Sequence, residues 1–572
     1  MKALPELPKK GSGVKSLPNL PSKKLPDMPD RKRDIKTNEE GKKILPQLST
    51  GKLPEMPHKE ETIFKIEPLT EIPTFPDVKK QDVNFKYPLI KPYAYAHIYW
   101  DEPSKELIYY LEEPKLTPDE KKTLILLEDG IKELINISYL SLGKGEKIIE
   151  YLEKNIKVLL NELRITPSTS SYLKLMYYIY RDFVGMGKIE PLMNDYFIED
   201  LECNGAKFPL YVVHRKFRNI RTNVIFNETP ELASFVEKLA QRCGRYVSYA
   251  TPLLDGALPD GSRVNATFTE DISSRGPTFT IRKFTKTPWP PTQLMKMNTI
   301  SPEALAYLWM AVEYGKNVMI IGGTGSGKTT LLNALTFFIP PQARIVSIED
   351  TRELNLEHDN WLPSVAREGV GLANLVGQKY GEVTMFNLLK ESFRQNPDYV
   401  IVGEIRGEEA YVLFQGMASG HPSFGTMHAN TVDTMIKRLE TQPINLSPSL
   451  VEVMDVVVSI TATKRAGKNV RRVKNIDEII SIDAIKGNSI NSPFQWDVAN
   501  DKLVYANESY VFKKLIYQQG MKEEDIFSEW KKRTMLLIAM YNQGMFDFYS
   551  VQTIINAYYK SPEEALAKFG IR

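Results

Sequence analysis

The stretch Gly322-Gly323-Thr324-Gly325-Ser326-Gly327-Lys328-Thr329-Thr330 decides how this chain is read. Ahead of it runs the apolar segment Val318-Met319-Ile320-Ile321, and behind it Leu331-Leu332-Asn333-Ala334-Leu335. That order predicts a buried strand, a glycine turn and a helix start. Only small residues that tolerate positive φ let successive backbone N–H groups curl around a phosphate. The start of the helix adds partial positive charge. Lys328 is then placed to reach the β and γ oxygens, and the Thr329 hydroxyl to ligate Mg²⁺. The whole run from Gly322 to Thr330 is the candidate nucleotide cradle, with a nucleoside triphosphate as ligand. An ordinary glycine turn in an α/β domain would need neither the lysine nor the threonine.

A phosphate cradle hydrolyses nothing without acids at neighbouring strand ends. The run Asp398-Tyr399-Val400-Ile401-Val402-Gly403-Glu404-Ile405-Arg406-Gly407 reads as a buried strand ending in Glu404, where a carboxylate can orient or deprotonate an attacking water. A second strand, Ile345-Val346-Ser347-Ile348, ends in Glu349-Asp350, suited to magnesium and water positioning. Two of the chain's six histidines, His421 and His428, fall in Gly420-His421-Pro422-Ser423-Phe424-Gly425-Thr426-Met427-His428-Ala429-Asn430. An imidazole near a γ-phosphate can sense its presence or loss. Zinc is not expected, because no third ligand cluster accompanies the pair.

The glycine run, "SIEDTRE", "RQNPDYVIVGEIRG" and "GHPSFGTMHAN" occur together and in this order. Together they resemble the Walker A, Asp box, Walker B and His box of the secretion and type IV filament assembly ATPase superfamily. The segments "IEPLMNDYFIEDLECNG", "CGRYVSYATPLLDGALPDGSRV" and "FTIRKF" are similar to that family's N-terminal domain, and the C-terminal stretch from "KKRTMLL" looks most like archaeal members. The resemblance covers roughly residues 170–572. It implies an α/β fold: a RecA-like P-loop ATPase domain with a parallel sheet (295–482), preceded by an α+β domain (166–287) and followed by a helical C-terminal region (483–572). It also implies Mg-ATP hydrolysis by a cytoplasmic homohexamer that sits peripherally on the membrane and drives a polytopic platform protein. Such a motor would power a pilus-like or archaellum-like filament, or type II/IV secretion. Lys328, Thr329, Glu349, Glu404, His421 and His428 take the motif roles, with Asp350 a further candidate at magnesium. Arginines reach the nucleotide from the N-terminal domain or a neighbouring subunit; Arg263 in "DGSRV" and Arg282 in "TIRKF" match best, Arg245 and Arg275 less well. Gly403 stands before Glu404 where many phosphate-loop enzymes carry Asp, and the four-cysteine zinc motif of many bacterial members is missing.

Composition narrows the alternatives. At 572 residues and 42% hydrophobic content the chain can build several cores. Residues 1–60 carry 14 Lys/Arg and 8 Asp/Glu, a charge of +6, so the remainder of the +3 chain is about −3. That near-neutral body, without a visible basic aromatic groove, argues against nucleic acid as partner and so against the alternative, a ring-shaped DNA translocase or packaging ATPase. Cys203 and Cys243 form no CxxC, consistent with a reducing, intracellular setting. No run approaches a membrane span.

The first residues repeat a short unit: Leu4-Pro5-Glu6-Leu7-Pro8, Leu17-Pro18-Asn19-Leu20-Pro21, Leu25-Pro26-Asp27-Met28-Pro29, Leu45-Pro46-Gln47-Leu48 and Leu53-Pro54-Glu55-Met56-Pro57. Proline removes donors and extends its predecessor, so residues 1–85 are expected as a disordered basic arm. The arm reads either as a tether or as a row of docking motifs for an unknown partner. Residues 86–165 are expected as a helical adaptor region.

Overall fold

In the computed structural model the described residues are 64–67, 73, 75, 76, 78–134, 146–284, 287–367, 369, 379–465, 468–483 and 487–571. The repeats of the arm, and residues 135–145 of the expected helical region, lie outside them. From Phe64 onward the chain belongs to one compact unit with two large mixed β-sheets.

The first sheet holds β1 (Asn84–Ile90), β2 (Ala94–Asp101), β3 (Glu106–Glu112), β4 (Ile198–Cys203), β5 (Pro209–His214), β6 (Arg218–Ile225), β7 (Leu253–Ala257), β8 (Arg263–Thr267) and β9 (Thr278–Arg282). Their order is β1-β2-β3-β6-β5-β4-β9-β8-β7. The strand expectations around Tyr211-Val212-Val213, Val224-Ile225-Phe226 and Thr278-Phe284 correspond to β5, β6 and β9. The boundaries expected at 85 and 165 give way. Phe64 is buried, and its N–H donates to Glu153 Oε1 at 2.9 Å. Residues 84–112 are not helical but form three strands that join the rest of the sheet through β3 and β6. Alternation explains it: Ala94, Ala96 and Ile98 of β2 point inward while the tyrosines and His97 between them are half-exposed. Pro88 is tolerated because β1 is an edge strand.

The second sheet contains β10 (Val318–Ile321), β11 (Ile345–Glu349), β12 (Trp361–Val365), β13 (Tyr399–Ile405), β14 (Ser423–Met427), β15 (Val456–Arg465), β16 (Lys468–Ser481), β17 (Ser489–Asp497) and β18 (Lys502–Tyr505). The order is β12-β11-β13-β14-β10-β15-β16-β17-β18. Pairs from β12 through β15 are parallel; β15 to β18 run antiparallel. Every residue of β10, β11 and β14 is buried, as expected of parallel strands covered on both faces. One face packs Trp309 on Phe338, ring centroids 5.1 Å apart, with Phe548 nearby in the same core. The other packs Leu389, Phe414 and Met435.

The region expected to be helical after residue 482 therefore begins with two strands of this sheet, β17 and β18. Helices Tyr510–Gln519, Glu523–Asn542 and Phe548–Lys560 follow. Glu478 of β16 fastens the first of them. Its fully buried carboxylate accepts from Tyr307 Oη (2.7 Å), Ser509 Oγ (2.5 Å), Asn491 Nδ2 (2.7 Å) and the N–H groups of Tyr510 (2.7 Å) and Val511 (3.1 Å). Those two N–H groups belong to the otherwise unsatisfied first turn of Tyr510–Gln519. Glu478→Ala should strand them, together with two hydroxyls, and lower unfolding stability by about 3 kcal/mol or more, measured by denaturant titration.

Candidate functional site

All parallel strands of the second sheet end on one edge, and there the chemistry-bearing residues gather. The glycine loop leaves β10, Glu349 ends β11, Glu404 lies near the end of β13, and His428 follows β14. Gly327 adopts φ +99° as the residue capping helix Lys328–Thr336, a conformation only glycine takes cheaply. A Cβ on Gly322 would collide with the Ile460 carbonyl oxygen, so that position needs glycine for space. Thr324 and Gly325 are exposed at the tip, while Thr329 and Thr330 are half-buried in the first helical turn. The Ser326 hydroxyl is buried with no partner among the described residues.

Lys328 folds back over the loop. Its ammonium donates to the carbonyls of Gly322 (3.2 Å) and Gly323 (3.1 Å) and lies 3.4 Å from His428 Nδ1. Burial lowers its pKa, with Glu404 opposing. His428 Nε2 is 3.1 Å from Glu404 Oε1. Burial and then the Lys328 charge push the imidazole below its usual value, favouring the neutral ring. Burial would raise the Glu404 pKa, but its bond to Arg406 Nη2 (2.6 Å) and the charges of Arg406, His428 and Lys328 outweigh it, keeping the carboxylate ionised. Backbone irregularity aims this side chain: the pairing of β13 with β14 shifts register between Val402 and Ile405, at Gly403-Glu404.

Gly403 has a second role. A Cβ there would press on Glu349 Cγ at 3.1 Å, so the glycine leaves room for that carboxylate. Glu349 is 1% exposed. Its Oε1 accepts from the N–H groups of Glu353 (2.8 Å) and Leu354 (2.9 Å), while Oε2 is buried without a partner among the described residues. Burial raises its pKa to about 7.

Asp350, expected at the metal, lies between two guanidinium groups, 3.7 Å from Arg263 Nη1 and 3.9 Å from Arg406 Nη1. Arg263 is thereby brought from the first sheet to the site, held also by Asp255 at 2.9 Å. Arg282 is its cross-strand neighbour, but it is two-thirds exposed and pairs with Asp200 at 3.2 Å. Arg275 stacks on Phe208, and Arg245 lies by Cys243, not at the loop. His421 departs from expectation. It precedes β14 while His428 follows it, so the strand holds the two rings at opposite edges of the sheet, about 20 Å apart at the usual rise per residue. His421 packs edge-on to Phe393 instead. Sequence reading grouped them because eight residues look close in one dimension; the extended conformation separates them.

Two participants escaped that reading. Arg406 holds Glu404, and its position in "GEIRG" was quoted without a role. Arg471 of β16 donates to the Gly325 carbonyl at 3.2 Å from a segment distant in sequence. A cavity of about 610 Å³ opens beside Thr324, Glu404, Arg406, His428, Arg438 and Gln442. Among the described residues, no group of three or more His, Cys, Asp or Glu is arranged to hold a metal. No helix among them is long and apolar enough to cross a membrane.

Residues 185–491 match the family model described as Type II/IV secretion system protein. This chain belongs to that family. It is 38% identical over 466 residues to the uncharacterized protein MJ0900 of Methanocaldococcus jannaschii, covering 81% of each chain. It is 33% identical over 269 residues to the type IV secretion system protein PtlH of Bordetella pertussis, 41% of this chain and 76% of that one. The solved structure of the ATPase DotB of Legionella pneumophila aligns with 66% of this chain and 96% of its own at 16% identity and a TM-score of 0.37, too loose a likeness to inform the site.

The Glu349 carboxyl makes a pH-dependent contribution to stability. Its folded pKa of about 7 lies above its ordinary 4.5, so the folded state holds a proton that the unfolded state releases. Its stabilisation is full below pH 4.5, falls as pH rises toward 7, and is gone above it. Glu349→Gln should flatten that slope, gaining about 3 kcal/mol over wild type at pH 8 relative to pH 4, read by denaturation at the two pH values.

Proposed function

We propose that this chain is a Mg-ATP-hydrolysing motor that works as a homohexamer to power assembly of a type IV pilus-like or archaellum-like filament, or type II/IV secretion. The observation that carries the reading is the convergence of Lys328, His428 and Glu404 beside a glycine loop that caps a helix. The loop's backbone N–H groups and Lys328 bind the triphosphate. Glu404, ionised and aimed by the bulge, accepts the proton of the attacking water. His428, neutral and touching both Lys328 and Glu404, reads whether a γ-phosphate is present.

Magnesium fits the residues at hand. The Thr329 hydroxyl and the unpartnered Glu349 Oε2 would hold the ion or its waters, a sparse protein set typical of this cation. When bound, it supplies charge neutralisation at the phosphates. Asp350, already placed between two arginines, is better suited to linking the sheets than to ligating metal.

Arg263 connects nucleotide state to movement. Exchanging Asp350 for a phosphate would draw the first sheet toward the second, and loss of the γ-phosphate would release it. Arg282, one strand away on the same face, is the second candidate for such an arm. The mechanical output would pass to a polytopic membrane platform, with the motor in the cytoplasm against the membrane. The Leu-Pro units of the arm would capture a further partner.

Lys328→Ala should abolish ATP turnover and weaken nucleotide binding. Glu404→Gln should still bind ATP with near wild-type affinity yet lose turnover by about two orders of magnitude or more, measured by phosphate release against equilibrium binding. Turnover by Glu404→Gln near the wild-type rate would remove Glu404 from the role of base.

A further inference from the structure

The order of strands dictates how a triphosphate lies across the site. The glycine loop springs from β10. On one side of β10 stand β14, β13 and β11, bringing His428, Glu404 and Glu349; on the other stand β15 and β16. The γ-phosphate has to face the acids for water to attack it. The α-phosphate and nucleoside therefore extend toward β15 and β16.

On that second side, among the described residues, a cation overhangs the loop. Arg471, opposite Ala462 in the β15–β16 register, donates from Nε to the Gly325 carbonyl at 3.2 Å. Its Cδ lies 3.2 Å from where a Cβ on Gly327 would stand, so the side chain rests directly on the glycine that caps the helix. Neighbouring arginines of the same hairpin are committed elsewhere. Arg472 grips Asp501 with Nε and Nη2 and the Met297 and Arg471 carbonyls with Nη1. Arg465 is occupied by Asp501 and the carbonyls of Val498 and Ala499. Among the described residues, Nη1 and Nη2 of Arg471 have no hydrogen-bond or ion-pair partner. The guanidinium of this half-buried residue thus presents two spare donors beside the helix N-terminus, oriented by the bond its Nε makes.

We propose that Arg471 is a nucleotide-binding residue that grips the α- and β-phosphates from the side opposite the acids. A planar fork suits two phosphate oxygens better than a point charge does. Because these phosphates are common to ATP and ADP, Arg471 acts on both, unlike a residue directed at the γ-phosphate. The assignment rests on reading the loop as an ATP site.

The test is equilibrium binding of fluorescent MgATP and MgADP to the full chain, with Arg471→Ala, Arg471→Lys and Arg471→Gln compared with wild type. Arg471→Ala is expected to weaken both nucleotides by about tenfold or more, with a shallower dependence on salt and an unchanged melting temperature. Arg471→Lys should recover part of the loss. Arg471→Gln keeps a donor for the Gly325 carbonyl but no charge, and should bind as poorly as Arg471→Ala. Recovery by Arg471→Gln to within about twofold of wild type would reduce Arg471 to a brace for the loop and overturn the proposal. So would a loss confined to ATP, or Arg471→Ala binding both nucleotides like wild type. If wild type itself binds neither nucleotide, the ATP reading falls and takes this assignment with it; failure of the Arg471 variants alone leaves that reading standing.

Discussion

Everything at the site depends on β10 being buried on both faces between parallel neighbours. A strand covered above and below by apolar residues can show its polar consequences only at its ends. Because β10, β11, β13 and β14 run the same way, their carboxyl ends arrive on one edge, and residues from widely separated segments meet without any of them being near in sequence. In the proposed mechanism the Val318–Ile321 run would matter as much as Lys328, though it would touch no phosphate. It sets the place where the glycine loop begins.

Around that edge the charges form a continuous series: Lys328, His428, Glu404, Arg406, Asp350 and Arg263. Signs alternate along most of it, with the neutral imidazole between the first cation and the first anion. The series crosses from the second sheet to the first at the Arg263–Asp350 contact. Both of those side chains are partly exposed, so their attraction is weak and screened by salt. In the proposed motor a weak crossing would let phosphate oxygens bearing more charge outcompete the carboxylate for the same guanidinium.

The legible part of this molecule was the part written in short-range patterns. Four apolar residues before a glycine run, and acids at the ends of apolar runs, announce parallel strands and their edge; the buried Glu349 and the bulged Glu404 stand where that grammar put them. Three features were not written that way. The first strands of the first sheet were hidden because β2 alternates small alanines with tyrosines and carries no β-branched residue except Ile98, so tyrosine content stood out before the period did. His421 and His428 were grouped by proximity in sequence, which an extended strand converts into distance. Arg471 sits 143 positions after Lys328 and reaches the loop only because β16 folds back against β15. Pairing of antiparallel strands is a long-range event, and nothing local to Asn469-Val470-Arg471 forecasts which glycines it will cover.

The Glu478 carboxylate also decides how force would travel. By clasping the first turn of Tyr510–Gln519 and the Tyr307 hydroxyl at once, it ties the first C-terminal helix to the second sheet and to the helix that carries Tyr307. In the proposed motor, deformation started at the phosphates would reach that helix through these bonds. A partner fastened to that helix would then be carried with the sheet, as by the long arm of a lever.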